Sequence, residues 1–190
     1  GWPAASPSGH SVQAFRRVCI MGAHHCCTNA LGRELGRHFR VELLNGEYGL
    51  DEGKERRSPL WKHRVFTGPP PVPDDALCVC LVKDPAFWLQ SLGRKAPSSF
   101  YHVRPLRSNP QTQELTDLCG QLGMGEARPD DLLREVEFDG AIYDGGALGL
   151  WEATVESYFR RDVYPAERTV VLRCEDFLFR FQETLLALAA

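Results

Sequence analysis

With 190 residues, 43% of them hydrophobic, the chain is long enough to bury a full-sized core in one domain. A formal net charge of −3 and a pI near 6.1 argue against a general nucleic-acid binder. No apolar run approaches the roughly 18 residues that a spanning helix needs, so no membrane segment is expected.

The opening residues, Gly1-Trp2-Pro3-Ala4-Ala5-Ser6-Pro7, lack the charged-then-apolar pattern of a signal peptide. Residues 1–15 read as a flexible leader, followed by one domain over 16–190. Of the seven cysteines, Cys19, Cys78, Cys80 and Cys174 fall in expected strands, where a free thiol behaves as a small hydrophobe. That favours a reducing, cytoplasmic compartment over a disulfide scaffold. A trimmed anchor would instead leave the Golgi lumen open.

In chain order, Val18-Cys19-Ile20-Met21 is a short apolar run ended by Gly22, the pattern of a buried strand. Ala23-His24-His25-Cys26-Cys27 follows, and Thr28-Asn29 opens a segment whose Leu31, Leu35 and Phe39 recur every four residues on one helical face. Strand, tight turn and helix N-terminus converge free N–H groups and the helix dipole on an anion, so this stretch is a candidate phosphate loop. Val41–Leu44 is a second short strand stopping at Asn45-Gly46, and Asp51–Ser58 is a charged, solvated loop. Gly68–Pro73 is a rigid lead into Ala76–Val82, a nearly continuous apolar strand of the kind covered on both faces. Pro85 starts the next helix. Residues 96–146 form a long connection, a substrate loop or lid, rich in Ser, Pro and Gly as far as Gly125. A helix from Leu148 to Tyr164 carries the stripe Leu150, Trp151, Val155, Tyr158, Phe159 and exits at Pro165. Thr169–Cys174 is the last strand, and Glu175-Asp176 leads into a final helix. Strands alternating with helices predict an α/β domain of three layers, P-loop-like, with a central parallel sheet flanked by helices.

Three places together resemble the sulfotransferases that use 3′-phosphoadenosine 5′-phosphosulfate (PAPS). The first is the strand-loop-helix Val18–Leu31, where that family binds the 5′-phosphosulfate. The second is Val82-Lys83-Asp84-Pro85 with Ser91 eight residues after Lys83, similar to the family's strand-end Arg-Asp-Pro and helical Ser, which reach the nucleotide 3′-phosphate. The third is Trp151 and Tyr158 on a helix, then Val170–Leu178, similar to a Trp-bearing helix followed by a strand ending in an Arg-Tyr-Glu-Asp-Leu-like segment. The resemblance runs from Val18 to Leu186. It implies transfer of a sulfuryl group from PAPS to a hydroxyl or amine of a small molecule or carbohydrate, leaving adenosine 3′,5′-bisphosphate. His24, His25, Cys26, Cys27, Thr28, Asn29, Lys83 and Ser91 would bind the cofactor. Trp61-Lys62-His63 stands where the family carries a Lys-x-His-like element, so His63 would be the base, with Lys62 holding the sulfate or leaving group.

Each of these residues has a plainer reading. Lys83-Asp84-Pro85 is also an ordinary strand-to-helix turn, and His63 also suits a strand edge or the surface. Glu175 and Asp176 fit a helix cap and first turn better than an acid/base pair. Trp151, Tyr158 and Phe159 fit the core, as does Trp88, whose alternative is the wall of an adenine pocket. The loop departs from the family: His24 or His25 replaces a loop cation, and His24 so joins the catalytic candidates, while Cys26 stands in place of Gly with less backbone freedom. His24-His25-Cys26-Cys27 cannot all wrap one tetrahedral metal, and adjacent cysteines bridge only with strain, so neither metal nor disulfide is expected there. Arg104 and Arg107 are candidates to replace a basic segment that family members carry after the last helix. Two alternatives stand beside catalysis: an impaired sulfotransferase-like nucleotide-binding module, and a P-loop nucleotide kinase, which lacks its Gly-Lys-Ser/Thr loop here. No motif indicates the acceptor or the oligomeric state.

Overall fold

The computed structural model describes residues 15–45, 60–70, 72–94, 103–106 and 132–189. Arg17–Gly22 forms β1 and Thr28–His38 forms α1, followed by the two-residue β2 at Glu42–Leu43. Ala76–Val82 is β3 and Pro85–Arg94 is α2. After the short strands β4 (Arg104–Pro105), β5 (Val136–Phe138) and β6 (Ala141–Tyr143) come helix α3 (Gly146–Phe159) and strand β7 (Thr169–Arg173). Cys174–Phe179 and Phe181–Ala189 form α4 and α5. Four strands make a parallel sheet in the order β2-β1-β3-β7, flanked by helices: the α/β layering that the sequence predicts.

Alternation along β1 and β3 explains why their sequences read as unbroken apolar runs. Val18, Ile20, Val79 and Leu81 face a core built with Leu31 and Leu35 of α1, Trp88 and Leu92 of α2, Leu150 of α3, Phe177 of α4 and Leu185 of α5. Cys19, Met21, Cys78 and Cys80 face the other way, onto Leu44, Leu60, Phe66, Val72, Tyr158 and Tyr164. Both faces are dry, which is the condition under which a parallel strand drops its polar positions. Burial lifts the Cys78 thiol to about 11, so it sits in the sheet as a neutral, apolar group.

β2 is shorter than the expected Val41–Leu44, and a side chain completes its work. The backbone ladder ends where the Leu44 N–H reaches the Val18 carbonyl. Beyond it, Asn45 Oδ1 accepts the Ile20 N–H at 2.9 Å, and Asn45 Nδ2 donates to the Ile20 carbonyl at 2.7 Å and the Leu60 carbonyl at 3.2 Å. One amide thus stands in for a strand residue beside β1. Asn45→Ala leaves the Ile20 N–H and carbonyl unpaired in a dry core, and the expected loss is about 1–3 kcal/mol. A urea titration checks it through a lower midpoint at unchanged slope.

Elsewhere the structure corrects the sequence reading. Part of the long connection is a three-stranded antiparallel sheet, β4-β5-β6. Its β5–β6 hairpin turns at Asp139-Gly140, both at positive φ (50° and 84°), a strong hairpin signal that the reading of 96–146 as loop passes over. Helix α3 begins at Gly146 and stops at Phe159, well before Pro165. Gly146 has φ +66°, and a Cβ there would lie 2.2 Å from the Arg134 carbonyl oxygen, so only glycine allows this start. Phe159 is 57% exposed and lies outside the core expected for it, whereas Tyr158 is buried. Cys174 opens α4 instead of closing a strand, with Glu175 and Asp176 in the first turn. The expected single last helix is two, bent at Arg180 so that Phe181 packs edge-on against Phe177 at 5.5 Å. The 1–14 part of the leader, the 51–58 loop, and the connection at 96–102 and 107–131 lie outside the described residues.

Candidate functional site

From β1 the chain crosses to β2 on one side, and it later enters β3 on the other. The carboxyl ends of β1 and β3 therefore flank a point where the strand order reverses, the crevice in which open α/β sheets bind ligands. The candidate phosphate loop leaves β1 there, and Lys83-Asp84 leaves β3 beside it.

Gly22 permits the loop. A Cβ on it would lie 2.8 Å from the Thr28 methyl and 3.2 Å from Leu81, so a side chain would push α1 away from the strand end. His25 and Cys27 then take left-handed φ values of 64° and 61°. The backbone freedom that the sequence reading assigns to Cys26 is needed instead at its two neighbours; Cys26 itself is buried in the core. Cys27 caps α1 without a side-chain hydrogen bond, and the first turn holds no acidic residue. Early N–H groups of α1 thus meet no carboxylate from its own first turn, and left-handed residues beside them make the backbone pattern of an anion-binding nest.

The loop carbonyls are gripped from outside by four different elements. His63 Nδ1 donates to the Gly22 carbonyl at 2.6 Å, and Trp88 Nε1 to that of His24 at 2.6 Å. Lys83 Nζ donates to the His25 carbonyl at 3.4 Å, and the Cys174 thiol to that of Cys26 at 2.8 Å. With those peptide planes held, the nest needs little ordering when a ligand arrives. Trp88 is fully buried in this clamp and so is not an adenine-pocket wall. Trp88→Phe drops this hydrogen bond and leaves a small void where the larger ring was fully buried, so stability is expected to fall by about 2–3 kcal/mol. A thermal melt checks it through a lower melting point.

Lys83 and Ser91 meet. Ser91 Oγ donates to the Phe87 carbonyl at 2.9 Å and accepts from Lys83 Nζ at 2.6 Å. The Trp151 indole donates to the Lys83 carbonyl at 2.8 Å. Glu175 accepts the Asp84 N–H at 3.0 Å, while Asp84 Oδ1 caps α2 through the Ala86 and Phe87 N–H groups. The strand end carrying Lys83 is therefore fixed on both sides. Trp151, Glu175 and Cys174 have positioning roles that sequence spacing alone does not reveal, because each acts across the fold on a backbone atom.

On the opposite flank lie Lys62 and His63, only 5% and 8% exposed, which removes the surface reading of His63. Lys62 Nζ donates to Asn29 Oδ1 at 2.5 Å, and the Lys62 carbonyl accepts the Gly22 N–H at 2.9 Å. The imidazoles of His24 and His63 stack at 3.8 Å, next to Trp61, which itself stacks on Phe138. Because a carbonyl only accepts, His63 holds its proton on Nδ1, and Nε2 is the basic nitrogen of the neutral ring. The neighbouring Cys174 thiol, then burial, pushes the Cys27 thiol well up. Contact with Cys26, together with burial, does the same for Cys174. Cys26 and Cys27 are both free thiols, and among the described residues no three His, Cys, Asp or Glu side chains are arranged to hold a metal. Arg104 pairs with Glu137 at 4.0 Å, and Arg107 lies outside the described residues. Among the described residues no helix is long and apolar enough to cross a membrane. No family model, no curated protein and no solved structure matches this chain.

Proposed function

We propose that this chain is a PAPS-dependent sulfotransferase, acting on a hydroxyl or amine of a small molecule or carbohydrate. The observation that carries the reading is the convergence, at the sheet's switch point, of a carbonyl-clamped nest, two lysines and a buried histidine. The donor set fits a doubly anionic nucleotide: the nest and Thr28 for the 5′-phosphosulfate, Lys83 with the Ser91 hydroxyl for the 3′-phosphate. PAPS supplies the activated sulfuryl group and a bisphosphate leaving group. Lys62 balances negative charge on the leaving side, and His63 Nε2 takes the proton of the acceptor hydroxyl or amine. Asn29 holds the Lys62 ammonium at the first turn of α1, and the Gly22 carbonyl holds the ring of His63.

Adenosine 3′,5′-bisphosphate tests the reading. At a hundred times its dissociation constant it adds about 2.7 kcal/mol, which for a chain of this length raises the melting temperature by roughly 5–10 °C. ATP with magnesium is expected to leave the melt unchanged. No rise with the bisphosphate overturns the reading, and a rise with ATP and magnesium alone revives the kinase. One observation favours a second reading, a nucleotide-binding module without catalysis: the loop's His24 ring is stacked on His63. Transfer of labelled sulfate to any acceptor dismisses it.

A further inference from the structure

Lys62 and His63 are the two central residues of one tight turn, and neither lies in a helix or strand. The turn runs from Trp61 to Arg64 and closes where the Arg64 N–H reaches the Trp61 carbonyl at 3.1 Å. On one side it rests on Gly22, through the Lys62 carbonyl and the His63 ring. Its two corners are held from elsewhere, by consecutive residues of the β5–β6 hairpin. Phe138, the last residue of β5, stacks on Trp61 with ring centroids 5.4 Å apart. Asp139, the first residue of the hairpin turn, accepts from Arg64 Nε at 2.8 Å. Phe138 also meets His24 edge-on at 6.0 Å, the same ring that stacks on His63. We infer that Phe138 and Asp139 are positioning residues: the hairpin grips both corners of the turn and so sets the place of His63 Nε2 relative to the nest. The inference deepens the proposed function and rests on the reading of His63 as its base.

Two corners held at once fix more than either alone. A contact at Trp61 leaves the turn free to pivot about it, and the ion pair at Arg64 removes that rotation. Phe138 and Asp139 are neighbours in the chain, so covalent geometry sets the spacing of the two grips. The ladder sets their register, with Phe138 opposite Ala141. Asp139 stands at φ 50°, a left-handed conformation that Asp adopts more readily than most residues. The Arg64 and Asp139 side chains are 28% and 25% exposed, and a pair that meets water adds little to global stability. Its effect lies in geometry, because a displacement of about 1 Å at a reacting group costs about 10²-fold in rate. The nest keeps its other clamps, since Trp88, Lys83 and Cys174 belong to elements outside the hairpin.

Asp139→Gly tests the grip, because glycine keeps the left-handed turn and removes only the carboxylate. Asp139→Asn keeps an acceptor for Arg64. The ligand-free protein is treated with diethyl pyrocarbonate, and the rate at His63 is read by peptide mass spectrometry against the exposed His38 as internal standard. His63 is 8% exposed, and in Asp139→Gly its rate is expected to rise about two- to fivefold, the worth of a partly exposed pair. Asp139→Asn should return it toward the parent. Leu185→Ala opens the core away from the turn and controls for lost stability alone. An unchanged rate in Asp139→Gly, or an equal rise in Leu185→Ala, overturns the inference.

Transfer of labelled sulfate supplies the second readout. At saturating nucleotide the single-turnover rate of Asp139→Gly is expected to fall about ten- to 100-fold, with adenosine 3′,5′-bisphosphate bound within about threefold of the parent. Asp139→Asn should recover most of that rate, which a merely structural role would not require. A parent-like rate in Asp139→Gly overturns the positioning role. If the parent itself transfers no sulfate, the function proposed above fails, while the reactivity of His63 still decides whether the hairpin holds the turn.

Discussion

Lys83→Ala is expected to weaken adenosine 3′,5′-bisphosphate binding by roughly ten- to 150-fold, the worth of a hydrogen bond to a charged group. The fold should tolerate the change. The Lys83 carbonyl, which stays in the variant, is what Trp151 holds, and Ser91 keeps its bond to Phe87. The side chain is half-buried, so its loss leaves no sealed void, and the melting point of the ligand-free protein is expected to move little. Lys83→Arg keeps a cation with a longer reach and is expected to recover most of the affinity, whereas Ser91→Ala weakens binding about threefold. Calorimetric titration of the three variants checks the order. An unchanged affinity in Lys83→Ala would remove Lys83 from the site and leave the nest as the whole of the binding surface.

The sheet was legible because each of its main strands obeys a local rule. Ala76–Val82 matches β3 at both ends, since a strand buried on two faces has no polar residue until it leaves the sheet. The helix starts at Thr28 and Pro85 were equally plain, for the chain changes period at each. The hairpin β5–β6 is hidden in the sequence because its strands are three residues long, too short for alternation to register. The end of α3 is hidden for a different reason. Val163 and Tyr164 are apolar and buried, which extends the helical stripe in the sequence, but they pack from a turn that follows the helix. At the site, Lys83 and Ser91 could be paired by spacing because both lie on one strand-helix unit. The clamps from Trp88, Cys174 and His63 could not, since each joins a side chain to a loop carbonyl 41 or more residues away.

His63→Asn separates the two jobs assigned to His63, and the expected result is a fall in turnover of about 10²–10⁴-fold with nucleotide binding held within about threefold. The side-chain amide nitrogen of asparagine falls where Nδ1 of histidine does, so it can still donate to the Gly22 carbonyl that His63 now holds at 2.6 Å. It has nothing at the place of Nε2. The clamp survives and the proposed base is removed. His63→Ala loses both, and it also empties a buried position stacked on His24, so its melting point should drop as well as its rate. The comparison needs single-turnover rates with an acceptor that the parent sulfates, measured at saturating nucleotide so that binding does not enter. Full turnover in His63→Asn would assign His63 to positioning the loop alone, and the proton would have to leave through another group. Loss of nucleotide binding in the same variant would point the same way, because it would mean that the ring, rather than its bond to Gly22, shapes the nest.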